Sequence, residues 1–213
     1  MDTIFSEETY NELLERLFVR FPSFQKNGAG AYKPGIGNME FFDQLAGHPH
    51  RQYRIIHIAG TNGKGSVSNM LTSALASQGL KVGLYTSPHI LDFRERIRIV
   101  SCHPDSSCHP DSSCHPERSE GSLATLISKD YVWQFISRWQ ETFDHLDMSF
   151  FEITTAMALC WFAEMKADVV VLETGLGGRP DSTNIVSPIL SIITNIGLDH
   201  CDMLGGTLSE IAF

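Results

Sequence analysis

The 213-residue sequence has no apolar run that approaches the roughly 20 consecutive residues a membrane-spanning helix needs. No membrane partner is therefore expected. The amino terminus, Met1-Asp2-Thr3-Ile4-Phe5-Ser6-Glu7-Glu8, lacks the basic start and apolar stretch of a secretory leader, so a cytoplasmic protein is expected. Basic charge is also in short supply. Sixteen Lys and Arg face 25 Asp and Glu, for a net charge of −9, which argues against a nucleic-acid backbone as the main partner. Cysteine is scarce and odd in number, with five in all. A disulfide framework is not expected.

Against this background the segment His57-Ile-Ala-Gly-Thr-Asn-Gly-Lys-Gly-Ser66 stands out. An apolar run, Arg54 to Ala59, reads as a buried strand before it. Val67 to Leu75 reads as a helix after it, and Lys81 to Thr86 as a second strand. A strand, a glycine-rich turn and a helix make a phosphate cradle, because backbone amides and the helix dipole converge on an anion. Lys64 is placed to reach outer phosphates, and a hydroxyl is placed to hold Mg²⁺. Thr61, Asn62, Gly63, Lys64, Gly65 and Ser66 are the expected phosphate contacts, and ATP with Mg²⁺ the expected ligands. The spacing departs from the usual P-loop. Only Thr61 and Asn62 separate Gly60 from Gly63-Lys64, and Gly65 stands before Ser66.

Elsewhere, Ser6 is placed to cap a helix with an apolar stripe at Tyr10, Leu13, Leu14, Leu17 and Phe18, ending before Pro22. A glycine-rich loop spans Asn27 to Gly37 and precedes the nucleotide strand. Short or long helices are expected over Met39–Leu45, Lys129–Phe143 and Phe151–Met165. Strands are expected over Ile97–Val100, Asp168–Glu173 and Ile189–Thr194. Alternating strands and helices predict an α/β fold with a mostly parallel sheet flanked by helices. Residues 101–122 interrupt this order. Ser-Cys-His-Pro-Asp-Ser repeats there with almost no apolar content, which predicts a disordered low-complexity insertion; its Cys-His pairs leave a metal site as the alternative. Without the insertion, Val100 would run almost directly into Leu126–Asp130.

Three further pieces fall at the carboxyl ends of strands, where open parallel sheets bind ligands. Glu173 is either a Mg²⁺ ligand or a surface acid. Gly175 to Asn184 is either a recognition loop using Arg179 and Asp181 or a charged glycine turn. Asn195 to His200 offers His200 as a metal ligand or as a structural histidine, with Asp199 beside it. Ser87, after the second strand, is a metal or phosphate contact or a turn residue before Pro88. These groups suit phosphoryl transfer to a carboxylate followed by amine attack on the acyl phosphate.

Taken together, Gly60-Thr-Asn-Gly-Lys-Gly-Ser66, Thr86-Ser-Pro-His89, Glu95-Arg-Ile97, Leu172-Glu-Thr-Gly-Leu-Gly-Gly-Arg179 and Leu198-Asp-His200 closely resemble folylpolyglutamate synthase/dihydrofolate synthase, of the Mur ligase superfamily. Pro22-Ser-Phe24 and Ala31-Tyr-Lys-Pro-Gly35 are similar to it too. The resemblance implies a ligase that uses ATP to join L-glutamate to dihydropteroate or a folate, with a monomeric full-length protein. It implies Ser87, Glu173 and His200 as Mg²⁺ ligands. It implies Ser149, Phe150, Phe151, Glu152, Pro180, Asp181 and Ser182 as contacts to the pterin-bearing substrate; position 180 is usually Leu. Family members continue past the equivalent of Ser209–Ala212 into a metal-binding carbamylated lysine, adenine and ribose contacts, and a Rossmann-like glutamate domain. Residues 1–213 are therefore expected to be an amino-terminal ATPase domain that ligates nothing alone. A non-catalytic nucleotide-binding module or degraded gene product, and another Mur-type amino-acid ligase, are the alternatives.

Overall fold

The structure is a computed structural model that describes residues 5–20, 35–102 and 122–212. The glycine-rich loop from Asn27 to Pro34, the Pro22–Phe24 motif and the bulk of the Cys-His-Pro repeat lie outside the described residues.

Helix α1 (Glu7–Arg20) leads to α2 (Gly37–Leu45) and a single 3-10 turn, Pro49–Gln52. Next come β1 (Arg54–Ala59), α3 (Lys64–Ala76), β2 (Val82–Tyr85), a second 3-10 turn (Phe93–Arg96), β3 (Ile97–Cys102) and β4 (Ser122–Leu126). Helices α4 (Lys129–His145) and α5 (Phe150–Glu164) precede β5 (Val169–Glu173) and β6 (Leu190–Ile193). Short helices α6 (Cys201–Leu204) and α7 (Leu208–Ala212) close the chain.

The six strands form one sheet in the order β4-β3-β2-β5-β1-β6. Strands β2, β5, β1 and β6 are parallel, so their carboxyl ends share one edge. β3 and β4 run antiparallel at the far side. Alternation along each strand sorts side chains onto two faces. Ile56, Ile58, Val82, Leu84, Val169 and Val171 pack under α3, and Ile55, Tyr85, Val170 and Leu172 join the larger core that contains α5. The expected α/β fold with helices on both faces is thus what forms.

α5 is apolar all round and buried along most of its length, as a helix at the centre of a layered fold should be. Its start is a capping box: Ser149 Oγ accepts from the Glu152 amide at 3.2 Å, and the Glu152 carboxylate accepts from the Ser149 amide at 2.6 Å.

The region around the insertion differs from the expectation. β3 continues to Cys102, and Ser122–Leu126 returns as an antiparallel partner with Val100 opposite Ala124 and Cys102 opposite Ser122. Residues 101, 102 and 122 therefore belong to the sheet, and a hairpin replaces the direct strand-to-helix join. An edge strand needs only backbone pairing, so its side chains carry little apolar alternation to betray it.

Candidate functional site

The P-loop leaves β1 through Gly60, whose φ of +135° and close packing admit no side chain: a Cβ there would stand 2.1 Å from Thr194 Oγ1. The loop is tied to the segment after β6. The Thr61 amide donates to the Asn195 carbonyl at 3.0 Å and the Asn62 amide to Asn195 Oδ1 at 2.8 Å. The Gly197 amide donates to Thr61 Oγ1 at 2.8 Å, and Thr194 Oγ1 donates to the Asn62 carbonyl at 2.7 Å. Two of the expected phosphate-binding amides, Thr61 and Asn62, are thus engaged within the protein. Gly63 takes the left-handed φ of 82° that starts α3. Lys64, Gly65 and Ser66 follow in its first turn, where amides have no intrahelical acceptor. Lys64 Nζ folds back onto the carbonyls of Gly60 at 2.9 Å and Thr61 at 3.4 Å.

Glu173 ends β5, opposite Ile58 of β1. It is 3% exposed. Burial pushes its carboxyl pKa up to about 7, opposed by Lys64, by the Ser87 amide that hydrogen-bonds it, and by Arg96. Its Oε2 is buried without a hydrogen-bond partner and faces the start of α3, where a Cβ on Gly65 would lie 3.6 Å away. A buried, unsatisfied carboxylate oxygen is costly by itself and well matched to a cation. Among the described residues no three His, Cys, Asp or Glu side chains converge as a metal cage.

Lys64, Gly65, Ser87 and Glu173 are therefore brought together from three separated stretches. His200 arrives by another route. It stands at the head of α6, on the loop after β6, with φ 49°. Its amide donates to Asp199 Oδ1 at 2.8 Å, and its Nε2 is 3.8 Å from Asp199 Oδ2. Its loop is held against the P-loop through Gly197, and Leu204, four residues on, packs where a Cβ on Gly177 would be 2.9 Å away. The segment that carries His200 therefore touches the P-loop through Gly197 and the Gly175–Asn184 loop through Leu204.

The residues expected to contact the acceptor divide into two groups. Glu152 is 2% exposed and serves the α5 capping box, with Ser149 as its partner. Phe150 is buried beneath Phe18, ring centroids 5.3 Å apart. Asp181 is buried, and its carboxylate accepts the amides of Gly175, Leu176 and Thr183 and the Thr183 hydroxyl. It folds the loop rather than presenting charge. Ser182 is also buried. Phe151 and Pro180 are half-buried; the far end of the Phe151 ring packs against Gly175, where a Cβ would meet Cζ at 2.6 Å.

Two groups escaped the sequence reading. Arg96 is 4% exposed, acts electrostatically on Glu173, and donates from Nε to His89 Nδ1 at 2.8 Å. His57 on β1 is buried and bonds Thr183 Oγ1 at 2.7 Å. Arg96 already stood in the Glu95-Arg-Ile97 motif, but at the end of a 3-10 turn, just before β3, its charge gave no local sign of burial.

No family model matches the chain. Among curated proteins it is 40% identical over 181 residues to dihydrofolate synthase/folylpolyglutamate synthase of Bacillus subtilis, matching 84% of this chain and 38% of that protein. Folylpolyglutamate synthase of Lacticaseibacillus casei is 39% identical over 166 residues, 78% of this chain and 35% of that protein. Among solved structures, Thermotoga maritima folylpolyglutamate synthase aligns with a TM-score of 0.71 and 36% identity over 96% of this chain and 40% of that one. E. coli FolC, in complex with DHPP and ADP, aligns with a TM-score of 0.75 and 28% identity over 95% and 42%. The chain spans less than half the length of these relatives. With this identity and structural likeness over most of its length, the chain belongs to the folylpolyglutamate synthase/dihydrofolate synthase family.

Proposed function

We infer that this chain supplies the ATP- and acceptor-binding part of a ligase that joins L-glutamate to dihydropteroate or a folate. The carrying observation is Glu173 Oε2, a buried acceptor without a partner aimed at the first turn of α3. Relatives solved with ADP and AMPPCP support the nucleotide, and one with AMPPCP and folate supports the acceptor.

In this reading the amides of Lys64, Gly65 and Ser66 hold the phosphates, and the Lys64 amine leaves the Gly60 and Thr61 carbonyls for the outer phosphates. Glu173, Ser87 and His200 would hold Mg²⁺, which supplies charge neutralisation for phosphoryl transfer. The acceptor carboxylate oxygen attacks the γ-phosphorus, the bond to the β,γ-bridging oxygen breaks, and ADP leaves. The glutamate amine then attacks the acyl carbon and phosphate departs, giving the amide. The loop from Gly175 to Thr183 and the exposed side of Phe151 border the acceptor. Glutamate binding and turnover belong to the longer protein typical of the relatives; a cytoplasmic monomer is proposed for it.

Calorimetric titration of this chain with AMPPCP, with and without Mg²⁺, tests the reading. Binding should tighten with Mg²⁺ by about tenfold or more, and Glu173→Gln should remove that gain while retaining metal-free binding. Equal affinities with and without Mg²⁺ in the wild type would refute the site.

A further inference from the structure

The turn between β2 and β3 holds a histidine whose protonation pattern is set from behind. Arg96 Nε donates to His89 Nδ1 at 2.8 Å. A guanidinium has no acceptor and stays protonated, so Nδ1 must present its lone pair and neutral His89 carries its proton on Nε2. Arg96 cannot easily move: it is buried, and its guanidinium lies over the Phe150 ring at 5.2 Å. His89 packs on Phe18 and Phe93, ring centroids 5.9 and 6.3 Å away.

The acids of the same turn are occupied elsewhere. The Glu95 carboxylate accepts the amides of Ile90, Leu91 and Asp92 at 2.8–3.1 Å, and Asp92 pairs with Arg94 at 2.6 Å. What remains is a half-buried imidazole with one N–H to give, polarised by a buried cation on its other side. It stands two residues past Ser87, whose amide binds Glu173.

We propose that His89 donates its Nε2–H to a carboxylate oxygen of the acceptor substrate, with Arg96 as the positioning residue that locks the tautomer. The proposal deepens the ligase reading and rests on it. A neutral donor backed by a fixed positive charge matches an anionic oxygen, and it does so without a lysine that could compete for phosphate.

Histidine-labelled protein examined by ¹⁵N NMR, free and with AMPPCP plus pteroate or its methyl ester, tests both parts. Free wild-type protein should show His89 wholly as the Nε2–H tautomer, and Arg96→Met should mix the tautomers. Pteroate should shift the His89 Nε2 signal and the ester should not. His89→Ala should weaken pteroate by about tenfold, the loss of one hydrogen bond to a charged group, with AMPPCP affinity retained; His89→Gln should recover part of it. An Nδ1–H tautomer in the wild type overturns the lock. Pteroate binding that both His89→Ala and the ester leave unchanged overturns the role of His89 alone. No pteroate binding to nucleotide-loaded wild type overturns this proposal together with the acceptor reading.

Discussion

His57 on β1 and Thr183 on the loop after β5 are bonded across 126 residues of sequence, with His57 Nε2 2.7 Å from Thr183 Oγ1. The hydroxyl donates onward to Asp181 Oδ1 at 2.5 Å, so His57 must be the donor to Thr183. The pair ties the strand that leads into the P-loop to the loop from Gly175 to Asn184.

Burial of His57 makes stability fall in acid through one identified residue. Burial lowers the His57 pKa from 6.5 to about 4. Between those values the unfolded chain binds the proton and the folded chain does not. The stabilisation is therefore full above pH 6.5, declines as pH falls toward 4, and is level below that. The whole effect is up to about 3 kcal/mol. Urea unfolding midpoints at pH 7 and pH 4.5 should draw closer together in His57→Gln than in the wild type. Identical pH slopes for the two proteins would exclude His57 as the source.

Asp181 should behave as a loop-former. Asp181→Ala leaves three amides and a hydroxyl without their acceptor in a buried site, at a cost of about 3 kcal/mol. Asp181→Asn, which keeps one acceptor, should cost less. Nucleotide binding should persist in Asp181→Asn while acceptor binding weakens. An Asp181→Ala protein with the wild-type unfolding midpoint would contradict the hydrogen bonds described.

Gly60 should tolerate no side chain. Gly60→Ala combines a strained φ with a contact on Thr194 and should cost at least about 2 kcal/mol. Adding Thr194→Ala relieves that contact but neither the φ nor the approach to the Asn195 backbone, so the double variant should recover only part of the loss. Full recovery, read by thermal denaturation, would show that the backbone is unstrained.

Gly83 lies in a close contact between the sheet and α5. A Cβ there would stand 2.8 Å from Phe162 Cδ1 and 2.9 Å from Val170 Cγ2. Gly83→Ala should destabilise by about 2 kcal/mol through overpacking, and Gly83→Ala with Phe162→Leu should be less unfavourable than the two single changes summed. Strict additivity in denaturant unfolding would argue against the contact.

Much of the fold could be read locally. Ile55, Ile56 and Ile58, the glycine turn and the helix after it announce the first βαβ unit by composition alone, and Glu173 falls at a strand end because Val169 to Leu172 form an unbroken apolar run. Ser149-Phe-Phe-Glu152 shows the opposite lesson. Its spacing is a capping box, a purely local signature, yet the resemblance assigned those residues to substrate. β4 was hidden because Ser122 to Leu126 sit on an exposed edge, where side chains need no pattern. Arg96 was overlooked as a site residue because a charged side chain is expected at the surface; its burial rests on His89 in the same turn and on Phe150 and Glu173 from distant parts of the chain.

Sequence alone determined the period of each strand and helix, the glycines that let the P-loop curl, and the chemical kinds of residue at the strand ends. These follow from bonds and contacts between near neighbours. Tertiary structure decided which of those groups are free to act. The amides of Thr61 and Asn62 are taken by Asn195, Asp181 is consumed by its own loop, and Glu173 keeps an unpartnered oxygen facing Gly65. Each outcome depends on sheet order and register, which bring distant segments within hydrogen-bonding reach and which no local pattern encodes.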